Sequence, residues 1–416
     1  LDQAHSLLTN RTKEVRNSKY GVAYQQKLVE NLTLDSEGRP FRMLVFRGSP
    51  KSCRKSIRFI DEMRREEIEN DNTKKHEFRR LPLREARILD APKLKNDYYL
   101  NIIDWGKNNI IAVALGSDLY LWNSENKNIQ KLSQGQGESV EPTSLAWSQD
   151  AKTVAVGYMC SKLSLFDAET LKVVRNLEGH NQRVGAVAWN DHILTSGSGD
   201  SYIINHDVRA RNSLTSRIEA HNAEVCGLKW SSEGNILASG GNENVIYIWE
   251  ASKMGTSNFL YKLSEHRAAV KALAWCPYQF KILASGGGTK DGCIKIWNTQ
   301  KGICIDSIET KAQICGLEWN RHHNEILSGH GYSNDASEHQ NQLCLWRYPS
   351  MTKVGEMKRH RSRVVNLCQS PDGLTVLSAG ADETLRFWDI FGPPCIEKQR
   401  VSNLDGLLSL KTSPIR

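Results

Sequence analysis

The sequence predicts an all-β fold, a seven-bladed β-propeller, and three residue series predict it. The first is an aromatic or histidine closing a short apolar strand: Trp122, Phe166, His206, Trp249, Trp297, Trp346 and Trp388, at spacings of 44, 40, 43, 48, 49 and 42 residues. The second is a tryptophan in another apolar segment, at Trp147, Trp189, Trp230, Trp275 and Trp319. The third is a histidine that opens a unit, at His180, His221, His266 and His360. Together they have the form of WD repeats, with a Gly-His-like start, a Trp-Asp-like end and a period near 40–45 residues. Seven such units close into a ring without long sheet edges. A pair of β-sandwiches would not explain the fixed period.

In chain order, residues 1–80 show no propeller period and read as a basic arm, partly helical or disordered. The segment YGVAYQQKLVENL puts Tyr24, Leu28 and Leu32 on one helical face, with Val29 beside them. RMLVFRGSP, with Arg42, Met43 and Leu44, has the character of a strand in search of an edge. IDEMRREEIENDNTKKHEFRR is dense in both charges and reads as an exposed helix or solvated linker. Residues 81–392 form the propeller, with 81–96 expected to supply a strand that completes the last blade. Residues 393–416 form a tail that ends Ile415–Arg416.

Charge follows the same division. Residues 1–89 hold 20 Lys and Arg against 13 Asp and Glu, a net of +7. The whole chain carries +8, so about +1 is left for the other 327 residues. The ten cysteines form no C-x-x-C pair, and several sit inside apolar strands, where Cys behaves as a small buried hydrophobe. Reduced thiols, and hence nucleus and cytoplasm, are the expectation. No run approaches the roughly eighteen apolar residues of a membrane span, and no apolar signal core follows a basic start.

Six residues before the closing aromatic stand Asp200, Glu243, Asp291 and Asp382, in blades 3, 4, 5 and 7. A carboxylate recurring beside a recurring histidine predicts a hydrogen-bond network that locks each blade, a structural reading preferred to a catalytic one because it repeats. Enzyme motifs are missing. The sequence has no P-loop and no G-x-S-x-G elbow, and no spacing that suits a metal or cofactor. SGGGTKDG lacks the Gly-Lys-Ser/Thr ending of a phosphate cradle and leads into a strand.

Several segments are more specific than a WD repeat. RILDAPKLKNDYYLNIIDW, SGSGDSYIINHDVR, ASGGNENVIYIW, AVKALAWCPYQFKILASGGGTKDGCIKIWN, EILSGHGY and SPDGLTVLSAGADETLRFW closely resemble the Fizzy family of activators of the anaphase-promoting complex. INHDVR resembles the mitotic Fizzy branch more than the Fizzy-related one. The resemblance implies a non-enzymatic subunit that holds substrates against a ubiquitin ligase by reading short degrons. For the Lys-Glu-Asn (KEN) box it implies Asp97, Tyr98, Asn242, Asn244, Thr289, Gln313 and Arg363, and for the destruction box Asp90 and Glu383. The structural alternative for the asparagines is turn chemistry, because Asn tolerates left-handed backbone. The terminal Ile415–Arg416 is implied to dock on the ligase. Arg42, Met43 and Leu44 are implied to contact the ligase or a spindle-checkpoint protein. Implied partners are the ligase subunits, degron-bearing substrates such as cyclins and securin, and checkpoint proteins. The family's Asp-Arg-Phe-Ile-Pro box is not in the sequence. DQAHSLLTNR resembles the family's segment some ten residues past that box, so the expectation is a chain that begins after it or a degenerate member.

Two other classes stand beside this one. A nucleic-acid-binding protein would use the basic arm, but its charges are interleaved with acids and its aromatics are few, which offers no stacking platform. A general WD scaffold would have no degron preference.

Overall fold

The computed structural model describes residues 81–392, apart from 83, 133–139, 257 and 334–338. The expected helix at 24–32, the element at Arg42, Met43 and Leu44, and the tail pair Ile415–Arg416 lie outside the described residues. Among those residues, strands β1–β28, numbered in chain order, form seven four-stranded antiparallel sheets. The innermost strands of blades 1 to 7 are β2 (Ile103–Trp105), β6 (Pro142–Trp147), β10 (Val184–Asn190), β14 (Val225–Trp230), β18 (Val270–Trp275), β22 (Ile314–Trp319) and β26 (Val364–Gln369). Each touches the next, and β26 touches β2, which closes the ring.

Closure comes from the two ends of the propeller. β1 (Arg87–Asp90) is the outer strand of blade 7 and pairs antiparallel with β28 (Thr384–Trp388), Leu89 facing Leu385 and Asp90 facing Thr384. The strand is shorter than the 81–96 segment expected to supply it, because Ala91 turns the chain away as its N–H donates to Glu383 O.

Burial explains the sequence pattern blade by blade. Middle strands such as β15 (Ile236–Gly241) and β19 (Ile282–Gly287) are covered on both faces and read as unbroken runs of apolar and small residues. The outer strand β21 (Ile303–Glu309) alternates between exposed and half-buried. Blades 4 and 5 approach so closely that a Cβ at Gly240 would stand 2.2 Å from Val270 O, so this site admits only glycine.

The second tryptophan series stitches neighbouring blades. The indole N–H of Trp189 donates to Ala146 O, that of Trp275 to Lys229 O and that of Trp319 to Ala274 O, each a carbonyl of the preceding blade. The two longest repeat spacings have local causes. A 3-10 helix, Ala251–Thr256, follows the third strand of blade 4. A long connection separates β23 (Glu325–His330) from β24 (Gln342–Arg347) in blade 6.

Candidate functional site

The recurring histidines and carboxylates meet in pairs, and each pair is joined by a serine that the sequence did not single out, with the closing tryptophan added in blades 4, 5 and 7. In blade 4, His221 Nδ1 lies 2.8 Å from Glu243 and Nε2 lies 2.8 Å from Ser239 Oγ, which also accepts the Trp249 indole N–H. Blade 5 repeats the set with His266, Asp291, Ser285 and Trp297. Blade 7 does so with His360, Asp382, Ser378 and Trp388. Blade 3 has His180, Asp200 and Ser196, but its closing residue is His206, which bonds Ser213. Blade 6 substitutes His330, two residues after Ser328, and among the described residues no carboxylate bonds its Nδ1.

These are Ser-His-carboxylate arrangements of the kind that hydrolases use. They do not act here. Ser196, Ser239, Ser285 and Ser378 are fully buried, so no substrate reaches their oxygens. Burial keeps His221 neutral by lowering its pKa. Burial alone would raise Glu243, but its hydrogen bonds from His221 and the Asn222 N–H outweigh that and leave it ionised. An ionised partner fixes the proton on Nδ1, so Nε2 accepts from the serine hydroxyl. Every polar atom of the set is thereby satisfied in the interior.

The residues matched to KEN-box reading gather around a different feature. After β1, the chain crosses the mouth of the central channel as a strap, Asn96–Asn101, that hydrogen-bonds to blades 2 to 7. Asn101 pairs with blade 2 through Thr143 and Leu145, and its side-chain amide donates to Gly185 O of blade 3 and Cys226 O of blade 4. Tyr98 O–H donates to Ala269 O of blade 5. Asn96 donates to the Tyr332 hydroxyl of blade 6 and takes two hydrogen bonds from the Arg363 guanidinium of blade 7.

The strap brings Asp97, Tyr98, Asn242, Gln313 and Arg363 into one connected set. Asp97 lies 3.6 Å from Arg183, which grips Glu224 with two 2.6 Å hydrogen bonds. Tyr99, not Tyr98, meets Asn242: its hydroxyl donates to Asn242 Oδ1 at 2.9 Å. Tyr98 is buried beneath the strap, and burial raises its phenol well above the ordinary value. Gln313 exchanges backbone hydrogen bonds with the Gly331–Tyr332 segment, and the Tyr332 ring lies under the Arg363 guanidinium. Thr289 follows Gly288, whose N–H shares Ala269 O with Tyr98. Asn244 adopts φ 68°, as the turn-chemistry reading requires. The turn and a surface role are therefore compatible at this residue.

Asn96, Tyr99, Arg183, Glu224 and Tyr332 belong to the set and were not identified from sequence. For the first two the signal lay next door, in the polar-aromatic NDYYLN that breaks the repeat period.

Asp90 and Glu383 meet at the seam of the ring. Asp90 ends β1 and faces Thr384, while Glu383 precedes β28 in a left-handed turn, φ 60°. Glu383 receives the Ala91 N–H on its carbonyl and the Lys93 N–H on its carboxylate. Both side chains belong to exposed residues.

Known proteins share this architecture. The family described as "CDC20/Fizzy WD40 domain" matches residues 89–388. A Dictyostelium discoideum protein named "Anaphase-promoting complex subunit cdc20" is 43% identical over 383 residues, 91% of this chain and 76% of its own length. "Cell division cycle 20.1, cofactor of APC complex" from Arabidopsis thaliana is 42% identical over 402 residues, 94% of this chain and 85% of its own. "Protein FIZZY-RELATED 3" from the same plant is 43% identical over 339 residues, 81% and 68%. Relatives of both branches thus match at nearly equal identity, and the assignment is to the family as a whole. A solved chain titled "Crystal Structure of Mitotic Checkpoint Complex" superimposes with a TM-score of 0.71 at 39% identity, over 74% of this chain and 95% of that one. The chain belongs to the CDC20/Fizzy family of WD40 propellers, which are non-catalytic adaptors.

Proposed function

We propose that this protein is a substrate-recruiting activator of the anaphase-promoting complex, working in the nucleus and cytoplasm, and that its propeller reads KEN-box and destruction-box degrons. The observation that carries the reading is the strap network, which gathers a carboxylate, amides and a guanidinium at one channel mouth. A peptide lysine finds acceptors in Asp97 and the Asn242 side chain. A peptide glutamate suits Arg363, whose fork has five N–H donors, two of them engaged by Asn96. At the seam, Asp90 and Glu383 present two carboxylates to a peptide arginine. Ligase subunits are the proposed partners of Ile415–Arg416 and of the Arg42–Leu44 element, and spindle-checkpoint proteins are further partners of the latter.

The test is fluorescence anisotropy with a labelled KEN-box peptide. Short linear motifs bind weakly, so the dissociation constant is expected on the order of micromolar or weaker, about −8 kcal/mol at most. Asn242→Ala and Arg363→Lys should each weaken binding while the thermal midpoint stays near wild type. Lysine keeps the charge of Arg363 but loses the fork. Binding indifferent to both substitutions would reduce the chain to a scaffold with no degron preference.

A further inference from the structure

The strap is tied down from beneath by one buried cation. Lys271 stands four residues before Trp275 on β18, where the corresponding residues of blades 2, 3, 4 and 6 are Thr143, Gly185, Cys226 and Cys315, all uncharged. Its side chain is almost completely buried, and Nζ donates to Leu100 O at 2.7 Å and to Val365 O at 2.9 Å. Leu100 lies in the strap and Val365 on the innermost strand of blade 7, so the side chain spans from blade 5 to both. Tyr98 covers it, its ring centroid 5.8 Å from Nζ. Burying an ammonium against carbonyls, with no carboxylate bonded to it among the described residues, sacrifices much of its hydration. Burial accordingly lowers its pKa to about 8. The uncharged residues of the other blades make the same ring without that cost.

We propose that Lys271 is the positioning residue of the peptide-reading face. By holding the carbonyls of Leu100 and Val365 it locks the strap to blade 7 and keeps Asp97, Asn96 and Arg363 in register for a KEN-box peptide. The inference rests on the degron-reading function proposed above. Ring closure itself does not require the lysine, so its loss acts on one peptide site and not on the seam at Asp90 and Glu383.

The experiment measures anisotropy of two labelled peptides, a KEN box and an arginine-containing destruction box, on the full chain. Lys271→Met is nearly isosteric and removes the donors. It should weaken the KEN peptide by about tenfold to a hundredfold, the loss of one or two hydrogen bonds from a charged group, and leave the destruction-box peptide within about twofold. Lys271→Arg should recover KEN binding, because the residue borders a channel cavity of about 290 Å³ that can take the larger head. Hydrogen exchange should show amides of 97–101 less protected in the methionine variant and restored in the arginine one.

Unchanged KEN binding in Lys271→Met, with wild type binding normally, would overturn this inference alone. Equal loss of both peptides would also overturn it, by making the lysine a general structural residue. Wild type that binds neither peptide would sink the degron-reading function, and this inference with it.

Discussion

Asn244 illustrates how one residue serves two constraints. Its left-handed backbone, φ 68°, is the conformation that asparagine and glycine tolerate best. Asn244→Gly keeps that conformation and deletes the side chain, whereas Asn244→Ala also strains the turn. If the side chain reads peptide, both variants lose KEN affinity by anisotropy, and only the alanine variant also loses thermal stability. A glycine variant that binds as wild type would assign Asn244 to the turn alone. Ser239 is a purely internal case. Its hydroxyl bridges His221 and the Trp249 indole inside blade 4. Ser239→Ala orphans two buried groups and should cost roughly 2–4 kcal/mol, read as a lowered urea midpoint. At this scale the histidines and carboxylates were legible because they recur. Tyr98 and Tyr99 were not separable, since both stand in one turn and no period says which of them points inward. Only the packed strap shows which of them is buried.

Blade 3 departs from the repeat at its closing position, and this gives it an acid-sensitive group that the other His-carboxylate blades do not have there. Burial lowers His206 from its ordinary 6.5 to about 4. The unfolded chain therefore takes up that proton first, and stability falls as pH drops from about 6.5 to 4. Burial would raise Asp200, but hydrogen bonds from His180 and backbone N–H groups outweigh it and hold the carboxyl at about 2, against an ordinary 3.8. Its contribution is complete above about pH 4 and is lost as pH falls towards 2. Thermal midpoints taken across pH should show both losses. His206→Phe, which copies the blade 2 closer Phe166, should shrink the upper loss, and Asp200→Asn the lower; buried His221 and His330, and Asp382 with its hydrogen bonds from His360 and the Arg361 N–H, supply the rest. The closing strand is the second element with a prediction of its own. Proline at Leu89 interrupts the ladder to β28. Leu89→Pro should lower the thermal midpoint and weaken a destruction-box peptide more than a KEN peptide. Equal weakening of both would argue against a seam site. The closing strand was foreseen from its place before the first repeat. Its length was not, because the turn at Ala91 is set by a contact with Glu383, a residue from the far end of the propeller.

The ring as a whole places the strap and the seam on one body, so under the degron-reading function proposed above a substrate carrying both motifs should engage both. Where its linker spans the two, the second contact becomes intramolecular and overall affinity should rise by about 10²–10⁴ over either motif alone. Anisotropy with a two-motif peptide tests this. Asn242→Ala or Glu383→Ala should each return the affinity to that of a single motif, and a two-motif peptide no tighter than one motif would mean that the sites are never occupied together. Seven blades, their order and their internal locks were determined by the sequence itself, since a repeating unit writes the same short-range pattern each time it packs the same way. The strap, the bond between Asn96 and Arg363 across 267 residues, and the reach of Lys271 to Leu100 and Val365 were decided by tertiary structure alone. They occur once and join distant parts of the chain, so no period reports them. Which side chains meet at the channel mouth is settled only when the closed ring brings its blades around a common axis.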